Sequence, residues 1–178
     1  GSRRRSPLVP RAIPLLPANC RLRIPARPGD YGLIDARDFL QLADSLVTGS
    51  AEAEWRTAVS RAYYAVFHAA RAILILCGFD VPRSERAHGY LWLRLTNSGH
   101  PDVELAGERL NNLRGVRNQS DYELAGELKR SKAVRQVQTA HDVMSALDAA
   151  ALEPTRTQIS AAMRVYERDV LKEVTWHV

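Results

Sequence analysis

Cysteine is scarce in this chain: Cys20 and Cys77 stand alone in 178 residues, with no CxxC spacing. That is too few for a disulfide framework, and the five histidines show no HxxxH spacing, so no structural metal site is expected. A reducing, cytoplasmic location is the expectation. Long apolar runs are missing as well, none approaching the roughly 18 residues of a membrane-spanning helix. Pro7, Pro10, Arg11, Pro14 and Pro17 interrupt any signal-peptide core, so neither secretion nor a membrane partner is expected. Strand signals are absent too. Apolar and polar residues do not alternate over a useful length, and the Asn-Gly and Asp-Gly dipeptides of tight hairpins do not occur. No internal repeat of solenoid length is present.

The hydrophobic share, 46% of 178 residues, suffices for one well-buried core and makes two improbable. A net charge of +5 first points to an anionic partner. Its distribution changes that reading. Residues 1–28 hold Arg3, Arg4, Arg5, Arg11, Arg21, Arg23 and Arg27 and no acid, leaving 18 of the 25 basic residues to face all 20 acidic ones. The body is therefore close to neutral. Six of the nine prolines fall within residues 1–29, where they forbid a helix by removing amide donors and restricting the residue before each. This segment reads as a disordered basic arm, either a solvated tail or a nucleic-acid-binding extension.

From Asp35 onward the pattern is helical almost without a break. Asp35 is a plausible N-cap for a first helix with Phe39, Leu42, Ala43 and Leu46 on one face, ending at Thr48-Gly49-Ser50. A long second helix, Glu52 to Cys77, starts after Ser50 with Glu52 and Glu54 at the positive end of its dipole, and stops at Gly78. Ser84 can cap a third helix through Leu95, and a fourth begins at Pro101-Asp102. Val134, Val137, His141, Met144 and Leu147 form the stripe of a fifth. Thr155 and Gln158 suggest a capping box for the last, with Ile159, Met163, Tyr166 and Val170 following. The expected fold is all-α: an up-and-down antiparallel bundle over residues 30–150, with a C-terminal helix within 151–178 packed on the bundle or on a partner.

Two placements point to function. Trp55, Val59, Ala62, Val66, Ala69, Ile73 and Cys77 give the long helix a core stripe, while Arg61, Tyr64, His68 and Arg71 form a second stripe nearly opposite. That second stripe is either a solvated face or a dimer or ligand surface. In the fourth helix, Val103, Ala106, Leu110 and Leu113 lead one step further to Arg117. A cation facing a core needs a counter-charge or an anion. Asp121, four residues on, offers the local answer; a cleft or interface is the other. Asn118 and Tyr122 lie on the neighbouring face.

Ser60-Arg61-Ala62-Tyr63-Tyr64-Ala65-Val66-Phe67-His68-Ala69-Ala70-Arg71, then Ala87-His88-Gly89, then Leu113-Arg114-Gly115-Val116-Arg117-Asn118-Gln119-Ser120-Asp121-Tyr122, resembles the HEPN domain family. The resemblance covers roughly Asp35 to Ala150 and is closest to small members with an Arg-Asn-x-x-Asp-Tyr ending. It implies a helical bundle that forms a homodimer, no cofactor, and, in many members, metal-independent RNA cleavage in toxin–antitoxin or phage-defence modules. By carry-over, Arg117 would stabilise charge on the scissile phosphate and Asn118 would orient it, with Asp121 and Tyr122 completing the site. The family's histidine, which follows its arginine after four to six residues, is replaced here by Tyr122, and a phenol is a poor base at neutral pH. His68 or His88 could supply an imidazole from elsewhere.

Three functions follow from the resemblance. One is an RNA-cleaving or RNA-binding, toxin-like protein using Arg117, with Arg61, Tyr64, His68, Arg71 and His88 on the RNA or dimer surface. Another is a non-catalytic module that binds a partner such as a nucleotidyltransferase antitoxin. The third makes Tyr122 the acceptor of adenylylation by that partner.

Overall fold

The computed structural model describes residues 35–177. The expected basic arm over residues 1–29 and Cys20 lie outside them. Among the described residues the elements are α1 (Ala36–Val47), α2 (Glu52–Leu76), α3 (Arg86–Leu95), α4 (Pro101–Tyr122), α5 (Arg130–Ala150), α6 (Thr155–Tyr166) and a π-helical turn, Glu167–Leu171. None of these helices is long and apolar enough to cross a membrane. The all-α expectation holds.

α2 is the axis of the bundle, packed by α1, α3, α4 and α5. Its expected stripe is buried from Val59 through Ile73, and the burial extends sideways to Ala58, Tyr63, Ala65, Ala70 and Leu74. A helix surrounded on most sides hides more than one stripe, and alanines let its neighbours approach closely. Asp35 caps α1 as expected, accepting from the Arg37 amide at 3.2 Å while Asp38 accepts from the Asp35 amide at 2.7 Å. At α2 the cap position is Ala51 rather than Ser50, with Glu54 accepting from the Ala51 amide at 2.9 Å. Ser84 makes no side-chain cap, and α3 starts after Glu85.

Two core stripes are shifted in part: Ala43 of α1 and Val137, Met144 and Leu147 of α5 are buried as expected, and their neighbours differ. In α1 the buried set is Leu40, Ala43 and Val47, and Leu42 is exposed. In α5, Ala133, Val137, Ala140, Met144 and Leu147 are buried, Val134 is exposed, and His141 sits at the rim bonded to Asp44 of α1 at 2.9 Å. Both helices offered two adjacent apolar rows. In α5, close contact with α2 favours Ala133 and Ala140 over the larger Val134 and His141. Gly107 on α4 shows how tight this packing is, since a Cβ there would lie 2.8 Å from the backbone nitrogen of Thr96.

The C-terminal segment departs further from expectation. Thr155 and Gln158 form no capping box; Glu153 instead accepts from the Thr157 amide at 3.2 Å and its hydroxyl at 2.8 Å. Ile159 and Met163 are buried, Val170 is exposed, and the residue that continues the buried row is Glu167, with no accessible surface. Its carboxylate accepts from Arg94 Nε at 2.6 Å, from the Thr175 amide at 2.8 Å and from the Thr175 hydroxyl at 2.6 Å. Tyr90 adds a longer bond at 3.3 Å, and the Arg94 guanidinium lies 3.3 Å from the Tyr90 ring centroid. The last residues are thereby folded back onto α3. Asp80 donates to the Thr175 carbonyl at 2.7 Å, and Trp176 pairs with Phe79 as an isolated antiparallel bridge.

Removing one partner of a buried ion pair strands the other. Glu167→Ala should cost about 3–5 kcal/mol in denaturant unfolding and expose the C-terminal residues to protease, and Glu167→Leu with Arg94→Met should recover most of that loss. The glycines of α4 should respond oppositely to alanine. Gly107→Ala should destabilise the fold by about 1–3 kcal/mol through its clash with α3, whereas Gly115→Ala, whose Cβ would meet nothing within 4 Å, should stabilise it by about 0.5–1 kcal/mol.

Candidate functional site

Continuation of α4 to Tyr122 brings Arg117 and Asp121 onto one face, one turn apart. Arg117 Nε lies 2.8 Å from Asp121 Oδ2, and the pair is only partly exposed, with side-chain accessibilities of 19% and 25%. Arg117 also donates to Asn118 Oδ1 at 3.0 Å and, across the bundle, to the Tyr64 hydroxyl at 3.2 Å. Its guanidinium lies 5.4 Å from the Tyr64 ring centroid and 5.5 Å from that of Tyr122. Ser60 of α2 donates at 3.3 Å to the same Asp121 oxygen that Arg117 meets. The four residues Arg117, Asn118, Asp121 and Tyr122 thus form one cluster, to which α2 contributes Ser60 and Tyr64.

Two residues that the sequence reading gave only a dipole role or no role hold this end of α4 in place. Arg56 donates to the carbonyls of Ser120 at 2.8 Å and Gly126, and to Glu52 at 2.8 Å. Glu52 in turn accepts from the Leu128 amide at 3.0 Å, and those two bonds hold its carboxyl below the usual range. The first turn of α2 is therefore a clamp on the α4–α5 connection. Unpaired loop carbonyls gave no sequence signal for it, because their partners lie more than 60 positions away.

The second stripe of α2 divides. Arg61 places its guanidinium 5.6 Å from the Phe39 centroid and 5.3 Å from that of Tyr64, sharing Tyr64 with Arg117. Its Nε is buried with no hydrogen-bond partner among the described residues. His68 stacks on Phe39 at 5.3 Å and meets Phe67 edge-on at 5.3 Å; burial, reinforced by Arg71, keeps its imidazole below its ordinary pKa. Arg71 does not join the surface proposed for it. It donates to the carbonyls of Pro82 at 2.7 Å and Val81 at 3.2 Å, because the chain leaving α2 turns back beneath it and presents carbonyls without other partners.

His88 reaches the same neighbourhood from α3. Its Nδ1 is bonded to the hydroxyl of Tyr63, a residue that neither stripe had included and that is 1% exposed. Burial pushes the Tyr63 phenol up to about 12, against the opposing pull of Arg114. An aromatic chain results: Tyr64 and Tyr63 with centroids 5.3 Å apart, Tyr63 and His88 at 5.8 Å, and Phe67 against His88 at 4.8 Å. Arg114, one turn before Arg117, has no ion-pair partner among the described residues. No group of three or more His, Cys, Asp or Glu side chains among them is arranged to hold a metal ion. Cys77 is buried, and burial raises its thiol to about 11.

Cations and aromatics from α2, α3 and α4 thus share one end of the bundle, with Asp121 as the carboxylate that pairs with Arg117. Comparison with curated proteins gives no match. A protein-family model described as HEPN domain matches residues 33–150, which spans α1 through α5 and contains every residue of the cluster. The chain belongs to the HEPN domain family.

Proposed function

We propose that this protein binds RNA at the Arg61–Tyr64–Arg117 cluster and acts there as a HEPN-type, metal-independent endoribonuclease, working as a homodimer within a toxin–antitoxin or defence module. One observation carries the reading: two guanidiniums, Arg61 and Arg117, lie on the same tyrosine ring at 5.3 and 5.4 Å, and Asp121 is ion-paired with only one of them. The surplus cation is partly desolvated, which strengthens its attraction for a phosphate. Tyr122, 72% exposed beside Arg117, offers a free ring on which an unpaired base can stack. Exposed aromatics interleaved with arginines suit single-stranded RNA better than a duplex, whose bases are already stacked.

A non-catalytic reading also has support. Arg117 is engaged inside the protein by an ion pair to Asp121 and hydrogen bonds to Asn118 and Tyr64, as in a structural network. Tyr122 and Leu124 project at 72% and 76% exposure, in the manner of contact residues for a protein such as a nucleotidyltransferase, and the Tyr122 hydroxyl is open to modification by it.

The two readings diverge at Asp121. On the RNA reading, Asp121→Asn frees Arg117 and should tighten binding of a fluorescent single-stranded RNA by about three- to tenfold. Arg61→Ala and Arg117→Ala should each weaken it by roughly ten- to a hundredfold and flatten its salt dependence. If all three variants bind as the wild type does, or the wild type binds no RNA, the interaction-module reading takes its place.

A further inference from the structure

The cluster leaves one imidazole without an assignment. His88 is only partly exposed at the start of α3, and its ring is wedged against Phe67 and Tyr63 at 4.8 and 5.8 Å. The Tyr63 hydroxyl fixes Nδ1, while Nε2 has no protein partner among the described residues and is not sealed from solvent. A ring held at one nitrogen and open at the other is arranged for proton transfer, since its orientation and tautomer are set before a substrate arrives. His68 lacks this arrangement. It is stacked on Phe39 and has no hydrogen-bond partner among the described residues to fix its tautomer.

The surroundings of His88 are charged on several sides. Tyr63 bonds to it from α2, and the charges that act on it are those of Arg114 and Arg117 on α4 and of Glu85 at the start of its own helix. Burial lowers the imidazole from its ordinary 6.5, Arg114 lowers it further, Glu85 opposes, and Arg117 adds to the decrease. Near neutral pH the ring is therefore uncharged and able to accept a proton. Tyr63, raised to about 12, remains a phenol throughout.

We propose that His88 is the catalytic base of RNA cleavage where α2, α3 and α4 meet, with Tyr63 as its positioning residue and Arg114, which has no ion-pair partner among the described residues, as the guanidinium at the reacting phosphate. This rests on the RNA reading of the neighbouring cluster. With Nδ1–H donated to the Tyr63 oxygen, Nε2 takes the proton of a ribose 2′-hydroxyl. The 2′-oxygen bonds to the adjacent phosphorus as the bond from phosphorus to the 5′-oxygen breaks. The departing 5′-oxygen takes a proton from water, and His88 releases its own to solvent. The products are a 2′,3′-cyclic phosphate and a 5′-hydroxyl end, and no further reactant is consumed. Arg114 offsets the charge that grows on the phosphate. This places the imidazole on a helix other than α4, where Tyr122 occupies the motif position.

The test uses the full chain with an end-labelled single-stranded RNA, following binding, cleavage and the chemistry of the new ends. His88→Asn should lower cleavage at least about 100-fold with RNA affinity unchanged. Tyr63→Phe, which keeps the core volume, should lower it about tenfold, again without loss of binding. Wild-type cleavage should rise with pH to a midpoint below about 6.5 and stay level above it, because the neutral imidazole is the active form. His141→Ala, which removes only the contact to Asp44, should cut as the wild type does. His88→Asn cutting within about threefold of wild type would overturn the assignment. A wild-type protein that binds RNA without cutting it overturns the assignment while leaving RNA binding in place, and one that neither binds nor cuts overturns both.

Discussion

Burial of α2 along nearly its whole length is the constraint from which the rest of the structure follows. Residues from Ala58 to Leu74 are enclosed by four other helices, so any polar group on α2 must either reach the rim or find a partner inside. Ser60, Arg61, Tyr63, Tyr64 and Arg71 all meet that condition in different ways. Ser60 bonds to Asp121, Tyr63 to His88 and Tyr64 to Arg117, whereas Arg71 satisfies loop carbonyls and Arg61 rests on aromatic rings. Polar groups at the edge of an apolar core are held in fixed geometry because the alternatives leave them desolvated and unpaired. The candidate site is built from this requirement.

The site also depends on where α4 stops. Its last turn carries Arg117, Asn118, Asp121 and Tyr122, and the end of a helix is ordinarily its least ordered part. Here Glu52 and Arg56, on the first turns of α2, occupy the amide and carbonyls of the connection that follows. The start of the central helix thus secures the end of the helix that bears the arginine. Fold and site share one set of contacts.

The segment after Ala150 adds a second mode of stabilisation. α6 contributes Ile159 and Met163 to the apolar core, and beyond them the buried contact becomes ionic, through Arg94 and Glu167. A fully desolvated ion pair contributes little net stability compared with apolar residues of the same size, but separating its partners leaves each charge buried and unpaired. Here it selects the position in which Thr175 and Trp176 lie over α3 and the chain after α2.

Helix number, order and approximate ends were legible in the sequence, since they follow from local signals: apolar spacing, Asp35 as a cap, Pro101 at a helix start, and Gly78 at a turn with φ of 89°. The motif residues on α4 were legible for the same reason, because one helix places Arg117 and Asp121 together whatever its surroundings. Tertiary structure decided which of two adjacent rows in α1 and α5 faces inward, that Arg71 serves a loop, that Tyr63 holds His88, and that Glu167 is buried against Arg94. Each of these joins elements distant in the chain. Sequence periodicity fixes the angle of a side chain about its own helix axis, and only packing fixes what that side chain meets.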